Sequence, residues 1–329
     1  MGHEPWTVDY NKKPWRLWLR EVRWVAKIRK RGYEAEFPPM PLRIELGDRP
    51  LRRFARKYIK LTHPRTWDIE GAVVEKYRFG ALVVGSDQIW RPEYNRKVES
   101  CFLDFAADWN IRRIVYAASF GKDEWEVSEE LMCACSALAK RFDGVSVREA
   151  SGVELCKKHL GVEAAHVLDP TLLLQKEDYC KLCSAIPVRE AFVFAYILDE
   201  STEKTDDVRR FAQKKGLPYL VKSAGPKVRP DDTMELWLAY FRDAAFVVID
   251  SFHGMVFSIN FNKGFYVYSN GQRGKSRFES LLGELGLESR MVESLPGSDE
   301  PIAWMEVDRK LEAERDRSLR WLRSQVEMR

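Results

Sequence analysis

The run AAFVVIDSFHGM at residues 244–255 decides the fold, because a wholly apolar stretch ends abruptly in a polar cluster around one histidine. Residues 246–249 predict a short strand that is covered on both faces, as in a parallel sheet, and residues 255–260 predict the helix that follows. In open α/β sheets, ligands bind in the crevice beyond the carboxyl ends of the strands. We therefore expect His253 to lie where substrate chemistry takes place.

The same order of apolar run and polar tip recurs along the chain. The further examples are ALVVG before SDQIW at 81–90, RIVYAA before SFG at 113–121, GVSV before RE at 144–149 and HVL before DPT at 166–171. Asp, Ser, Gly and Pro also end strands for backbone reasons, so most of these tips, taken alone, are better explained as ordinary turns. Their recurrence favours a cluster of polar side chains at the edge of a parallel sheet.

Several of these segments together resemble the polysaccharide pyruvyl transferase family. They are GSDQIWRPEY at 85–94, YAASFG at 116–121, SVREASGVELC at 146–156, HVLDPTLLL at 166–174, DSFHGMVFSINFNKGF at 250–265 and KSRFESLL at 275–282. The resemblance covers residues 77–291 and rests on the order and spacing of the motifs rather than on any one of them. It implies two Rossmann-like α/β domains in a GT-B-like arrangement, and transfer of a pyruvyl group from phosphoenolpyruvate to a sugar as a ketal.

Strands that alternate with helices predict parallel sheets in two halves. Beyond the strands named above, the pattern predicts strands near residues 192–198, 218–222 and 264–268. We expect an N-terminal α/β domain with a basic helical start at 1–168, a C-terminal Rossmann-like domain at 169–305 and a closing helix at 306–329. Relatives commonly begin with a strand and a glycine loop before a segment like IDY. Because TVDY stands here at 7–10, the first domain is expected to lack its first βα unit.

Composition is typical of a folded chain with substantial cores, since 45% of its 329 residues are hydrophobic. The six cysteines show no disulfide framework, and neither a signal peptide nor a long apolar span is found, so we expect a cytoplasmic protein. Cys180 and Cys183 form a C-x-x-C pair, but no second pair stands at zinc-ligand spacing. We therefore predict no metal and no cofactor; the resemblance implies phosphoenolpyruvate as the donor substrate.

Positive charge is concentrated at the start of the chain. Residues 1–65 carry 17 Lys and Arg against 7 Asp and Glu, a charge of +10, whereas the remainder carries 37 against 43, a charge of −6. Trp15, Trp18 and Val22 recur there at helical spacing beside a basic face. Such a helix can lie on the inner face of an anionic membrane, as a lipid-linked acceptor would require, or dock on its own domain with the basic face solvated. Nucleic-acid binding is not expected, because the rest of the chain is acidic.

The donor would need arginines, because phosphoenolpyruvate carries a carboxylate and a phosphate. The resemblance implies that Arg148 binds the donor, and Arg277 is the second candidate, although a surface arginine explains it equally well. Ser251 and Gly254 are assigned to the same subsite. Some relatives have an arginine two residues before the histidine, where this chain has Ser251, so that contact is lost or supplied elsewhere.

The histidine is the expected catalytic group. The resemblance implies a general acid/base role for His253, which suits a side chain that takes up and returns protons near neutral pH. Acceptor hydroxyls would be bound, or His253 oriented, by residues at the strand tips, although each of these is also explained as a turn former or core residue. They are Asp87, Gln88, Trp90, Ser119, Asp169 and Asp250.

These expectations lead to an enzyme that transfers a pyruvyl group from phosphoenolpyruvate to a sugar of a bacterial exopolysaccharide, of another cell-surface polysaccharide or of its lipid-linked precursor. Two alternatives stay open. One is a GT-B glycosyltransferase that uses a nucleotide sugar, since a fold does not fix a function. The other is a non-catalytic family member.

Overall fold

The computed structural model describes residues 2–8, 49–62, 71–95, 97–125, 127–223, 232–269, 274–297 and 299–327, together with positions 22, 26 and 29. In this part of the chain, strands alternate with helices along the sequence, and the strands form two parallel sheets. The predicted α/β class is therefore confirmed, and both sheets are consistent with Rossmann-like domains.

The first sheet contains four strands in chain order, each parallel to the next. They are β1 Ala81–Val84, β2 Arg112–Ala118, β3 Gly144–Val147 and β4 Ala165–His166. Because all four run in the same direction, their carboxyl ends share one edge of the sheet. The last strand begins one residue earlier and ends two residues earlier than the apolar run HVL predicts.

The second sheet has the order β6-β5-β7-β8-β9 and is also parallel. Its strands are β5 Val193–Tyr196, β6 Tyr219–Lys222, β7 Phe246–Ile249, β8 Gly264–Tyr268 and β9 Met291–Val292. All four residues of β7 are buried: Val247 and Ile249 pack into one core, and Phe246 and Val248 into another on the opposite face. The prediction that this strand is covered on both faces is confirmed.

The described helices surround these sheets. They are α1 Arg49–Tyr58, α2 Gly71–Tyr77, α3 Glu129–Ala139, α4 Ala150–Leu155, α5 Lys176–Leu182, α6 Thr202–Lys214, α7 Met234–Asp243, α8 Phe252–Asn260, α9 Ser276–Leu285 and α10 Trp304–Glu327. A π-helical turn, Cys156–Leu160, continues α4. Short 3-10 turns lie at Val98–Phe102, Asp104–Ala106, Pro170–Leu172 and Glu288–Arg290.

The long helix α10 joins the two sheets into one body. Its buried Leu311 packs in the core of the second sheet, whereas Ser318 Oγ accepts a hydrogen bond of 2.9 Å from the N–H of Leu168. Further along, the ring of Trp321 lies 6.1 Å from that of Tyr116 on β2. This helix therefore contacts residues of both sheets.

Most of the predicted basic helix lies outside the described residues. Of its positions, Val22 and Ala26 are described and are helical. Contact with a membrane surface therefore stays a prediction, as does the absence of a first βα unit. Thr7 forms a parallel bridge with Leu61, apart from the first sheet.

Candidate active site

Polar side chains from both sheets meet where the strands end. Asp87 follows β1, Arg148 follows β3, Asp169 follows β4 and His253 follows β7. Within each sheet all strands run in the same direction, so their carboxyl ends lie along one edge of that sheet. The structure brings these four predicted site residues, which are widely spaced in the sequence, into one connected cluster.

Arg148 is the centre of the cluster. Its side chain is fully buried, and its guanidinium donates to Asp169 Oδ2 at 2.8 Å and to Asp87 Oδ1 at 3.0 Å. Burial lowers the pKa of Arg148, but Asp169, Glu149 and Asp87 raise it more, so the pKa lies above its ordinary value. The group is therefore a fixed cation held between two carboxylates.

Asp169 is the buried anion of the cluster, with a side chain that is 1% exposed. Besides Arg148, its carboxylate accepts hydrogen bonds from Thr171 N at 3.0 Å and from Thr171 Oγ1 at 2.6 Å. Burial raises the pKa of Asp169, but Arg148 and His253 lower it more, and the net shift is downward. This carboxylate keeps its charge and is fixed in orientation.

His253 lies in the first turn of α8 rather than in the loop that its polar neighbours suggest. Ser251 caps this helix, since its Oγ accepts a hydrogen bond from the N–H of Gly254 at 3.3 Å. His253 Nε2 is 3.8 Å from Asp169 Oδ2, and the side chain is 37% exposed. Its pKa lies below the ordinary histidine value because of desolvation and the nearby positive charge of Arg148, which outweigh the effect of Asp169. The imidazole is thus neutral at neutral pH and accessible.

The side chain of Arg277 approaches the cluster from the start of α9. The residue is 5% exposed, and burial together with Arg148 lowers the pKa of its guanidinium to about 10. Both guanidiniums lie against the ring of Phe252, with centroid distances of 4.5 Å for Arg148 and 5.3 Å for Arg277. One aromatic ring therefore contacts both cations, which offsets part of the cost of placing like charges in one cluster.

Phe252 and Glu149 are the site residues that sequence reasoning missed. Glu149 is fully buried, and its Oε1 accepts hydrogen bonds from the N–H groups of Phe120 at 2.9 Å and Gly121 at 3.4 Å. Burial raises its pKa more than Arg148 lowers it. Each of the two is the direct neighbour of a predicted site residue, and this position was the available sequence signal. The spacing of the motifs, however, did not distinguish either residue from an ordinary core residue.

Four predicted acceptor residues are buried and contact protein neighbours in this structure. Trp90 has no exposed surface and stacks on Phe102 with centroids 4.8 Å apart, so it packs in the first core. Gln88 is buried and accepts a hydrogen bond from Arg91 at 2.8 Å, and the side chain of Ser119 is buried beside Glu149.

Asp250 is the fourth of these residues. Its buried carboxylate accepts hydrogen bonds from Lys204 Nζ at 2.7 Å, Leu198 N at 2.6 Å and Asp199 N at 3.1 Å. These bonds tie β7 to the segment after β5. The structure therefore gives Asp250 a structural position, and Asp169 is the carboxylate that lies near the histidine.

A cavity of about 590 Å³ opens beside His253 and extends into the second half of the chain. Its wall includes Ser251, Tyr196, Trp237 and Phe257, and α1 contributes Phe54. Among the described residues, no group of three or more His, Cys, Asp and Glu side chains could hold a metal ion. None of the described helices is long and apolar enough to cross a membrane.

A known family model matches most of the chain. The family model described as polysaccharide pyruvyl transferase matches residues 9–272. This range contains the described strand tips at Asp87, Arg148, Asp169 and His253, and it ends five residues before Arg277. No curated protein matches the chain.

Proposed function

The chain belongs to the polysaccharide pyruvyl transferase family, and from that premise we propose that it transfers the pyruvyl group of phosphoenolpyruvate to a sugar of a cell-surface polysaccharide or of its lipid-linked precursor. The observation that carries this proposal is the pairing of two buried arginines with one accessible, neutral histidine at the strand tips. A GT-B-like arrangement of the two halves, with the donor between them, belongs to the same proposal.

The two guanidiniums suit the charge of the donor. Phosphoenolpyruvate presents a carboxylate and a phosphate, and arginine binds both through paired hydrogen bonds. Arg148 and Arg277 both lie against the ring of Phe252, so the two guanidiniums share one aromatic neighbour. In the proposed complex, they hold the anionic groups and leave the enol carbons directed toward His253.

The histidine supplies the proton transfers that ketal formation needs. A sugar hydroxyl adds to C2 of the enol and gives up its proton, C3 takes up a proton to become a methyl group, and a second hydroxyl displaces phosphate from C2. Two hydroxyl protons leave the sugar in total; one is found on the methyl group and the other on the released phosphate. Neutral His253 accepts a hydroxyl proton, and Asp169 at 3.8 Å stabilises the imidazolium that forms.

The first experiment compares thermal stabilisation of the chain by phosphoenolpyruvate and by UDP-sugars. We expect stabilisation by phosphoenolpyruvate in the wild type and in His253→Gln, and its loss in Arg277→Gln. The matched control is Arg290→Gln, which removes a buried arginine that lies over Tyr266 and outside the cluster. This variant should be less stable but should respond fully to the donor.

Two outcomes would overturn the proposal. If a UDP-sugar stabilises the wild-type chain and phosphoenolpyruvate does not, the result would favour a glycosyltransferase. A chain that binds phosphoenolpyruvate but releases no phosphate with any glycan acceptor, under conditions where a characterised relative is active, would be a non-catalytic member. Membrane contact through the basic start of the chain is tested separately, by sedimentation with anionic and neutral vesicles.

A further inference from the structure

The cavity beside His253 has no role in the proton transfers and donor contacts described above. It begins at Ser251 and His253 and is enclosed by residues of α1, α5, α7 and α8. Its volume of about 590 Å³ falls within the range of about 300–1,000 Å³ that is usual for small-molecule sites. A cavity of this size, continuous with the candidate catalytic histidine, is placed to hold the second substrate.

The wall of the cavity is a continuous series of aromatic side chains that leads away from His253. Phe257 lies one helical turn after His253, and its ring centroid is 4.9 Å from that of Tyr179 and 5.0 Å from that of Trp237. Trp237 in turn lies 5.5 Å from Tyr196. Flat apolar rings of this kind pack against the C–H face of a sugar ring and against hydrocarbon groups. The same wall is unfavourable for an unsubstituted polar glycan, because its hydroxyl groups would lose their hydrogen bonds to water on entering.

Charge among the described lining residues is balanced. Apart from His253, the only charged side chains among the described lining residues are Lys222 and Asp232, and their Nζ and Oδ1 atoms are 2.6 Å apart. A diphosphate needs several arginine or lysine groups to replace its hydration. The described lining supplies one lysine, which is already paired. The described part of the lining therefore suits an uncharged ligand better than a nucleotide sugar or a sugar diphosphate.

Resting on the proposed function, we infer that this cavity is the acceptor subsite and that it takes one uncharged sugar unit carrying an apolar substituent. The sugar ring lies at the His253 end, where its hydroxyls reach the imidazole, and the substituent lies along the aromatic wall. None of the acceptor residues predicted from the strand tips contributes to this wall, which explains how four of them can be buried without closing the site to an acceptor.

The test measures binding of glycosides in the absence of phosphoenolpyruvate. Methyl, p-nitrophenyl and octyl glycosides of neutral hexoses are titrated below their micelle concentrations, by saturation-transfer NMR or calorimetry. We expect the octyl and p-nitrophenyl forms of at least one hexose to bind about tenfold or more tightly than its methyl form, because the substituent buries apolar surface. UDP-sugars should not displace them.

Matched substitutions locate the binding. Leu51 lines the mouth of the cavity and is 50% exposed, whereas Ile59 lies just beyond the same helix, is 43% exposed and does not line it. Leu51→Asp should weaken binding of the octyl glycoside about tenfold, and Ile59→Asp should leave it unchanged. Phe54→Ala, which removes a ring from the wall, should weaken binding in the same direction and serves as a second variant if Leu51→Asp does not fold.

The outcomes separate this inference from the function on which it rests. Equal affinity for methyl and octyl glycosides, octyl binding that survives both cavity variants, or displacement by a UDP-sugar would overturn the acceptor assignment. In each of those cases, stabilisation by phosphoenolpyruvate would still support pyruvyl transfer. If glycosides bind in the expected pattern but phosphoenolpyruvate does not stabilise the chain, the cavity would stand as a glycoside site. Phosphoenolpyruvate as the donor would be refuted.

Discussion

Replacing Asp87 with Asn should tighten donor binding. Arg148 is shared between two carboxylates in the absence of substrate, and these differ sharply in exposure: the side chain of Asp169 is 1% exposed and that of Asp87 is 62% exposed. A donor that enters from solvent therefore meets Asp87 first, as a carboxylate that already accepts a hydrogen bond from one edge of the guanidinium. Burial raises the pKa of Asp87, but Arg148 and His253 lower it more, so this competing group is ionised.

The size of the effect follows from the exposure of this pair. Ion pairs with an exposed partner are worth about 0.2–1 kcal/mol, and a donor that displaces Asp87 from its 3.0 Å contact loses that amount. Asn removes the charge, and it suits the backbone, because position 87 has a φ of 76° and Asn tolerates this region well. We expect the dissociation constant of phosphoenolpyruvate to fall about 1.5- to 5-fold, and the difference to shrink as salt is raised.

Calorimetric titration with phosphoenolpyruvate at two salt concentrations measures this change. The control is Asp108→Asn, because Asp108 also pairs with an arginine, Arg141, at 3.2 Å, but is 94% exposed and lies outside the cluster. This variant should bind the donor as the wild type does. Unchanged or weaker binding in Asp87→Asn would refute the competition, and would mean that this carboxylate helps to hold a substrate.

Three further predictions concern the histidine, a buried ion pair and the contact between the two halves. His253→Gln should lower kcat by about 10²-fold or more with donor affinity kept. In the wild type, kcat/KM should fall as the pH drops through the pKa of His253 in the donor-free chain, which lies below the ordinary 6.5, because the neutral imidazole is the active form. Asp250→Ala should reduce the free energy of unfolding in urea by about 3–5 kcal/mol, since it leaves Lys204 beside a buried site without its 2.7 Å partner. Burial lowers the pKa of His166, but Glu284 at 3.1 Å raises it more, so the net shift is upward. Its contribution to stability is therefore complete below the ordinary histidine pKa and is lost as the pH rises through the raised value, a dependence that Glu284→Gln should remove from the unfolding curve.

The sequence predicted the strands of this fold well because they are short, apolar and parallel. In β7, four buried residues lie between two cores, and no alternation of polar positions obscures the pattern. The start of α8 was predicted less well. Ser251 is a helix cap, but a serine followed by an aromatic residue and a histidine has the composition of a turn, so His253 was expected in a loop. Polar residues at the start of a helix and polar residues in a loop have similar sequences, and only the hydrogen bond of the cap distinguishes them.

The contacts of the site could not be predicted from the sequence, because they depend on how strands and halves are placed. Arg148 reaches Asp87 across 61 residues and Asp169 across 21. The backbone direction at each strand tip decides which side chain faces the cleft. Asp87, at a positive φ, is exposed, whereas Trp90, three residues later, is buried in the core. The tip positions were therefore predictable, and the assignment of acceptor contacts among them was not.

The charges of the cluster bear directly on how one histidine could act first as a base and then as an acid. Arg148 and Arg277 balance Asp87 and Asp169, and His253 is neutral because burial and the nearby arginines hold its pKa down. An anionic donor bound to the arginines adds negative charge close to the imidazole, which raises its pKa in the complex. A neutral imidazole is then free to take the proton of the sugar hydroxyl, and the resulting imidazolium is stabilised by both Asp169 and the donor until that proton is passed on. The same two arginines that would recognise the donor thus keep the histidine unprotonated before the donor binds, and the charge of the donor then stabilises the imidazolium that forms during the reaction.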